Sequence, residues 1–203
     1  MSAMNAPTLD QQLNQDCFCI DVDPARVWAE IGRAAGDAAP IDALMRHREH
    51  LFSVAPVFLA RADLDAMLAV VEAIEETAAL PAYQQAVEAW APPIARHDPG
   101  SRGAFMGYDF HVTPAGPRLI EVNTNAGGAF LNALLAQAQA ACCAEVQALA
   151  PTVAPLAEFD AAVLHMFLEE WRLQGRTGRP GVVAIVDDAP AEQYLYPEFL
   201  LAQ

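Results

Sequence analysis

Between Ala104 and Thr124 the sequence is written to turn back on itself, which restricts the fold more narrowly than any other stretch. Ala104 to Val112 and Arg118 to Thr124 are runs of β character, joined by Thr113-Pro114-Ala115-Gly116-Pro117. Pro114 fits the first corner of a type I turn and Gly116 the left-handed position after it, so the spacing predicts a hairpin with a three-residue loop. Thr113 and Pro117 then close the loop. In that register Asp109 faces Glu121, and Gly107 faces Asn123.

Side chains alternate along a strand, so Glu121 and Asn123 share a face with Asp109 beside them. Two carboxylates opposed across a ladder destabilise it unless something compensates. A divalent cation would do so, since hard ions such as magnesium take carboxylate and amide oxygens and bridge them to phosphates. The same spacing also describes a solvated acidic face. Beyond the strand, Asn125, Gly127 and Gly128 lead into the start of a helix, where free backbone N–H groups form an anion cradle.

The rest of the chain alternates helical and strand-like patterns. Residues 24–35 and 41–52 read as short helices separated by a breaker from Gly36 to Pro40. Val54 to Ala60 reads as a buried strand. Leu64, Met67, Leu68, Val71, Ile74 and Ala78 recur at helical spacing, and Pro81 ends that helix before a shorter one from Tyr83 to Trp90. Pro92 to Arg102 is a loop. Further helices are expected from Ala129 to Leu149 and from Glu158 to Leu173, and Val182 to Val186 reads as an apolar strand of a parallel sheet. The linker from Gln174 to Pro180 marks the boundary between a region 1–175 and a second domain opening at 176–203. Pro197 suits the first turn of a helix that has barely begun at Gln203, so a β-α start lacks its returning strand and a longer natural chain is expected. The fold class is therefore α/β: a helical layer on a small mixed sheet with a central β-hairpin, followed by the first β-α of a second domain.

Composition narrows the chemistry. All eleven basic residues are arginine, against 26 acidic ones, giving a formal charge of −15. Without lysine the chain forms no Schiff base and no Walker-A phosphate site. The acidic balance argues against nucleic acid and anionic membranes, leaving small molecules, another protein or a homo-oligomer as partners. With 54% hydrophobic and 18% charged residues the chain has the composition of a globular protein. Cys17 and Cys19, and the adjacent Cys142 and Cys143, lack C-x-x-C spacing and read as free thiols of a reducing compartment. The N-terminal residues lack the pattern of a signal peptide, and the apolar window from Ala129 to Ala150 is broken by Asn132, Gln137, Gln139 and Glu145. A cytoplasmic protein is expected.

Gly107-Tyr108-Asp109-Phe110, followed by Leu119-Ile120-Glu121-Val122-Asn123-Thr124-Asn125 with Gly127 and Gly128, resembles the E-x-N segment of circularly permuted ATP-grasp ligases. The pattern is similar to those of eukaryotic-type glutathione synthetases and bacterial glutathionylspermidine synthetases. The resemblance covers Gly103 to Ala140 and, more loosely, Gly181 to Gln203. It implies that Glu121 and Asn123 hold the magnesium ions that accompany ATP, with Asp109 as a ligand or supporting carboxylate. It further implies that Asn125, Ala126, Gly127 and Gly128 border the acceptor substrate. The implied function is the N-terminal portion of a ligase that activates a small-molecule acid as an acylphosphate and joins it to an amine, with most of the ATP site outside this chain and no activity expected from this portion alone. Gly107 replaces the arginine of the family's R-x-D pattern, and Ala126 and Gly128 replace side chains that hold the peptide of the glutathione enzymes. From the residues themselves, a non-catalytic binding or scaffold module and a metal-dependent hydrolase using Asp109 and Glu121 stand as rivals.

Other features carry less. His47 and His50 are three apart, but Arg46 and Arg48 beside them would repel a cation, so this segment reads as a solvated helix face. His97 and His111 have no partner at ligand spacing. Asp187 and Asp188 read as loop or capping residues at a strand end, and Trp28, Trp90 and Trp171 as packing residues.

Overall fold

A computed structural model describes residues 7–16, 20–36, 41–53, 57–141, 148 and 153–203. The chain is mixed α/β. In order it forms α1 (Leu9–Asp16), β1 (Ile20–Val22), α2 (Pro24–Ala35), α3 (Ile41–Met45), α4 (Arg61–Ala79), α5 (Pro81–Glu88), β2 (Met106–Thr113), β3 (Gly116–Thr124), α6 (Ala129–Ala138), β4 (Gln139–Ala141), α7 (Leu156–Leu173) and α8 (Tyr196–Ala202). Among the described residues there is no single mixed sheet: β1 pairs antiparallel with β4, and β2 antiparallel with β3. The cysteine pairs lie outside the described residues. No described helix is long and apolar enough to cross a membrane. Two compact units result, one of Met1–Phe58, Gly127–Leu164 and Gly181–Gln203, the other of Leu59–Ala126 and His165–Pro180.

The first unit holds the core. Asp23 caps α2 by accepting from the Ala25 N–H at 3.0 Å, Pro24 fits the first turn, and Gly36 ends the helix with its φ of 53°. The α2 stripe of Val27, Trp28 and Ile31 is buried with Leu44, Leu131, Leu134, Ala138 and Leu200, and Trp28 meets Phe52 edge to face at 5.7 Å. Helix α8 packs against both α2 and α6.

Several expected elements are shorter or absent, each for a local reason. The helix expected over 41–52 stops at Met45, because His47 takes a left-handed φ of 63°. Of the strand expected over 54–60, residues 54–56 lie outside the described residues and 57–60 join no ladder. Phe58 satisfies its backbone on a side chain instead: its N–H donates to the Asn14 Oδ1 and its carbonyl accepts from the Asn14 Nδ2, both at 2.7 Å. The helix expected over 129–149 ends at Ala138, where the chain turns extended and pairs Gln139, Ala140 and Ala141 with Val22, Asp21 and Ile20. Val182 to Val186 forms no strand, and Val182 and Val186 are each 87% exposed. A parallel strand needs neighbours on both sides, and none of the described residues pairs with it.

In the second unit α4 and β3 pack together. No described residue of this unit is fully buried, so its order rests on half-buried contacts and specific bonds. Met67, Val71 and Ile74 form the half-buried stripe of α4. The Tyr108 hydroxyl donates to the Glu75 carboxylate, a bond that holds the phenol pKa above its ordinary value, with burial and the Glu75 charge adding to it. Phe105 meets Phe167 edge to face at 6.1 Å, and Glu170 accepts from the N–H groups of Arg102 and Gly103 at 2.8 and 3.0 Å. Trp90, expected to pack, is 77% exposed.

The contrast between core and tail is testable by urea unfolding. Ile31→Ala removes a fully buried side chain and is expected to destabilise by about 2–5 kcal/mol, whereas Val182→Ala should stay within about 0.5 kcal/mol of wild type. A loss at Val182 comparable to that at Ile31 would mean that 182–186 is a buried strand after all.

Candidate functional site

The hairpin reaches the expected pairing by an unexpected route. Its loop is one residue tighter than the three-residue form: Thr113 pairs with Gly116, Val112 with Pro117 and Phe110 with Leu119. The Thr113 hydroxyl donates to the Gly116 carbonyl at 2.7 Å and accepts from the Ala115 N–H at 3.2 Å, and Gly116 takes a φ of 95°. Continued unbroken, this ladder would set Asp109 against Ile120. The register instead shifts between Asp109 and Phe110, leaving Ile120 unpaired on the longer side, so that Asp109 meets Glu121 and Gly107 meets Asn123. A β-bulge of this kind re-aims the residues beyond it.

Asp109, Glu121 and Asn123 are all exposed, and the Asn123 Nδ2 donates to the Glu121 Oε1 at 3.0 Å. That bond orients Glu121 and offsets part of the repulsion from Asp109. Among the described residues no group of three His, Cys, Asp or Glu side chains could hold a metal ion. An ion on the hairpin would therefore have two carboxylates, the Asn123 amide oxygen and water or ligand oxygens, a donor set that suits magnesium better than zinc. Taking up the ion through the Asn123 oxygen would also turn that amide away from its present donor role. Gly107, at the arginine position of the family pattern, lies against Ala126, whose Cβ is 3.0 Å from where a Cβ at 107 would sit. A side chain there would have to displace Ala126.

The four residues after the strand divide by role. Asn125 takes a left-handed φ of 58°, which asparagine tolerates better than most residues, and the Ala126 N–H donates to the Phe105 carbonyl at 2.9 Å. Both belong to the second unit, while Gly127 and Gly128 belong to the first. Gly128 has a φ of 94°, and its N–H opens the cradle at the head of α6.

That cradle already holds an anion, supplied by the chain itself. The Glu198 carboxylate is buried and accepts from the N–H of Gly128 at 3.1 Å, Phe130 at 3.1 Å and Leu131 at 2.9 Å. Helix starts leave such donors unpaired and favour negative charge. A companion contact lies close by in sequence. Arg48, expected on a solvated helix face, is buried and donates to the carbonyls of Leu44 at 3.0 Å, Tyr194 at 2.9 Å and Gln193 at 2.6 Å.

Sequence reasoning missed both residues. Glu198 reads as an ordinary first-turn acid of its own helix, and nothing local shows that it caps a different one. His47 and His50 are exposed and, since α3 ends at Met45, share no helix face. Asp187 serves the loop, accepting from the Gln193 Nε2 at 3.0 Å. No protein-family model, curated protein or solved structure matches this chain.

Two substitutions separate these sites. Without divalent ions, Glu121→Gln should stabilise the protein by about 0.2–1 kcal/mol by removing the repulsion across the ladder. Glu198→Ala should destabilise it by about 1.5–3 kcal/mol, as expected when a charged acceptor leaves buried donors unpaired. Chemical denaturation in a metal chelator measures both, and a destabilised Glu121→Gln would mean that the acid pair is already compensated.

Proposed function

We propose that this chain contributes the hairpin of an ATP- and magnesium-dependent carboxylate-amine ligase. The reading is supported by the pairing of Asp109 with Glu121, with Asn123 bonded to Glu121 on the same face. A bulge maintains that pairing although the loop by itself would place Ile120 opposite Asp109. These residues offer oxygen donors to a hard cation and leave room in its shell for phosphate oxygens and water. Bound there, magnesium would neutralise charge on the phosphates of ATP, the main requirement of phosphoryl transfer. In this reading Glu121 and Asn123 bind the ion, Asp109 supports it from across the ladder, and Asn125, Ala126, Gly127 and Gly128 border the amine substrate. The joined acid is first activated as an acylphosphate, which the amine then attacks.

A second reading, a non-catalytic binding module, is favoured by Glu198. Its carboxylate occupies three N–H groups at the head of α6 that an anionic substrate would otherwise use. The two readings part on one measurement. In the ligase reading magnesium raises the melting temperature above the value that ATP gives in chelator, a ligand at a hundred times its Kd adding about 2.7 kcal/mol, and Glu121→Ala abolishes that magnesium-dependent increment. No increment on adding magnesium to the ATP-bound protein, or an increment that survives Glu121→Ala, supports the binding module.

A further inference from the structure

The second unit has a further feature that involves none of the hairpin residues. The last turns of α7 and the loop after it line a cavity of about 430 Å³, bordered by His165, Leu168, Glu169, Arg172, Arg176 and Arg179. The chain carries only eleven basic residues against 26 acidic ones, and three of the eleven fall within the span 172–179 and line this one cavity. We propose that it is a binding site for a small molecule bearing a phosphate or diphosphate group. The inference does not rest on the metal reading of the hairpin.

The charges in the cavity do not balance internally. Arg172 is engaged by Glu169, its Nη2 donating at 2.6 Å and its Nε at 3.1 Å. That bond holds the Glu169 carboxyl below its usual range against the opposing effect of burial, and the charges of Arg172 and His165 add to it. Glu169 thus stays ionised and answers one guanidinium. Arg176 lies over the Trp171 ring at 5.6 Å from its centroid, which orients its planar group without neutralising it. Arg179 makes no ion pair or hydrogen bond among the described residues. Both side chains are exposed, so water screens one from the other, and an anion in the cavity they line would meet two guanidiniums that no acid engages.

The chemistry of the group selects the ligand. Guanidinium is a planar fork that meets phosphate oxygens through paired N–H bonds, and the chain has no lysine to serve instead. Gly175 and Gly178 take φ of 74° and 70°, curling the loop so that Arg176, Thr177 and Arg179 border the same space. The negative end of α7 opposes an anion, but its influence fades within the last turn and it carries about half a charge, whereas Arg176 and Arg179 beyond it each carry a full one. The volume falls within the range of small-molecule sites and exceeds what inorganic phosphate needs, with Leu168 as an apolar wall for the remainder of the ligand.

Calorimetric titration of the protein with inorganic pyrophosphate, and separately with ADP, in chelator and at about 0.15 M salt tests this. Saturable binding that weakens by about tenfold or more in the double variant Arg176→Ala, Arg179→Ala, and is unchanged in Arg61→Ala, which removes an exposed arginine outside the cavity, is expected. Tighter binding of ADP than of pyrophosphate would identify a phosphorylated organic molecule as the ligand, and equal binding a free diphosphate. Absence of saturable binding of either probe, or binding that weakens less than this in a double variant with wild-type melting, would overturn the proposal.

Discussion

A buried carboxylate at the head of a helix ties the first unit together. Glu198 lies 70 residues beyond Gly128 in sequence, yet it takes three N–H groups at the start of α6. Arg48 makes the reciprocal arrangement with acceptors, gathering the carbonyls of Gln193 and Tyr194 together with that of Leu44. Among the described residues neither charge is answered by an opposite charge. Each is answered by backbone dipoles, so its desolvation is offset only while the segment 191–198 stays against α3 and α6. Leu200 can then enter the core with Val27, Ile31 and Leu134. Polar bonds here fix where the segment lies, and apolar burial supplies the stabilisation once it is there.

The hairpin obeys a different constraint. Its turn and its ladder prefer registers that differ by one residue, because Thr113 and Gly116 close a tighter loop than the proline and glycine spacing suggests. Ile120 absorbs the difference, and everything from Asp109 and Glu121 outward keeps the pairing that sets two carboxylates and an amide on one face. The unit around it has no fully buried residue, so the hairpin depends on contacts such as that of Tyr108 with Glu75 on α4. An acid pair placed on so lightly packed a support gains little from a rigid frame. Its geometry is set chiefly by the ladder itself and by the bond from Asn123.

What was legible in the sequence follows from the range of the interactions involved. Helices α2, α4 and α7 were readable because their apolar stripes, and in α2 the Asp23 cap, are local, within a turn or two of the residues they organise. The facing of Asp109 and Glu121 was readable too, although the expected loop was wrong, because a loop error of one residue and a bulge of one residue cancel. Elements that depend on distant partners were not readable. The pairing of 139–141 with 20–22 cut short an alanine-rich run with every local mark of a continuing helix. The apolar run 182–186 has strand composition and no described partner. The helix N-terminus after Gly128 was recognised as an anion cradle, but the anion came from a residue whose own surroundings name a different job.

A lysine-free chain with few cations has to distribute them, and their placement is informative. Arg33, Arg61 and Arg172 are spent on exposed pairs with acids three or four residues away, bonds of small value in water. Arg48 is spent on carbonyls in the core. Arg176 instead stacks on an indole, and Arg179 stands in the same cavity without an acid of its own. Arg26, Arg46, Arg96, Arg102 and Arg118 likewise show no ion pair among the described residues, so the lack of an acid does not by itself distinguish these two. What sets them apart is that two guanidiniums without an acid line one cavity, where a single oxyanion would meet both.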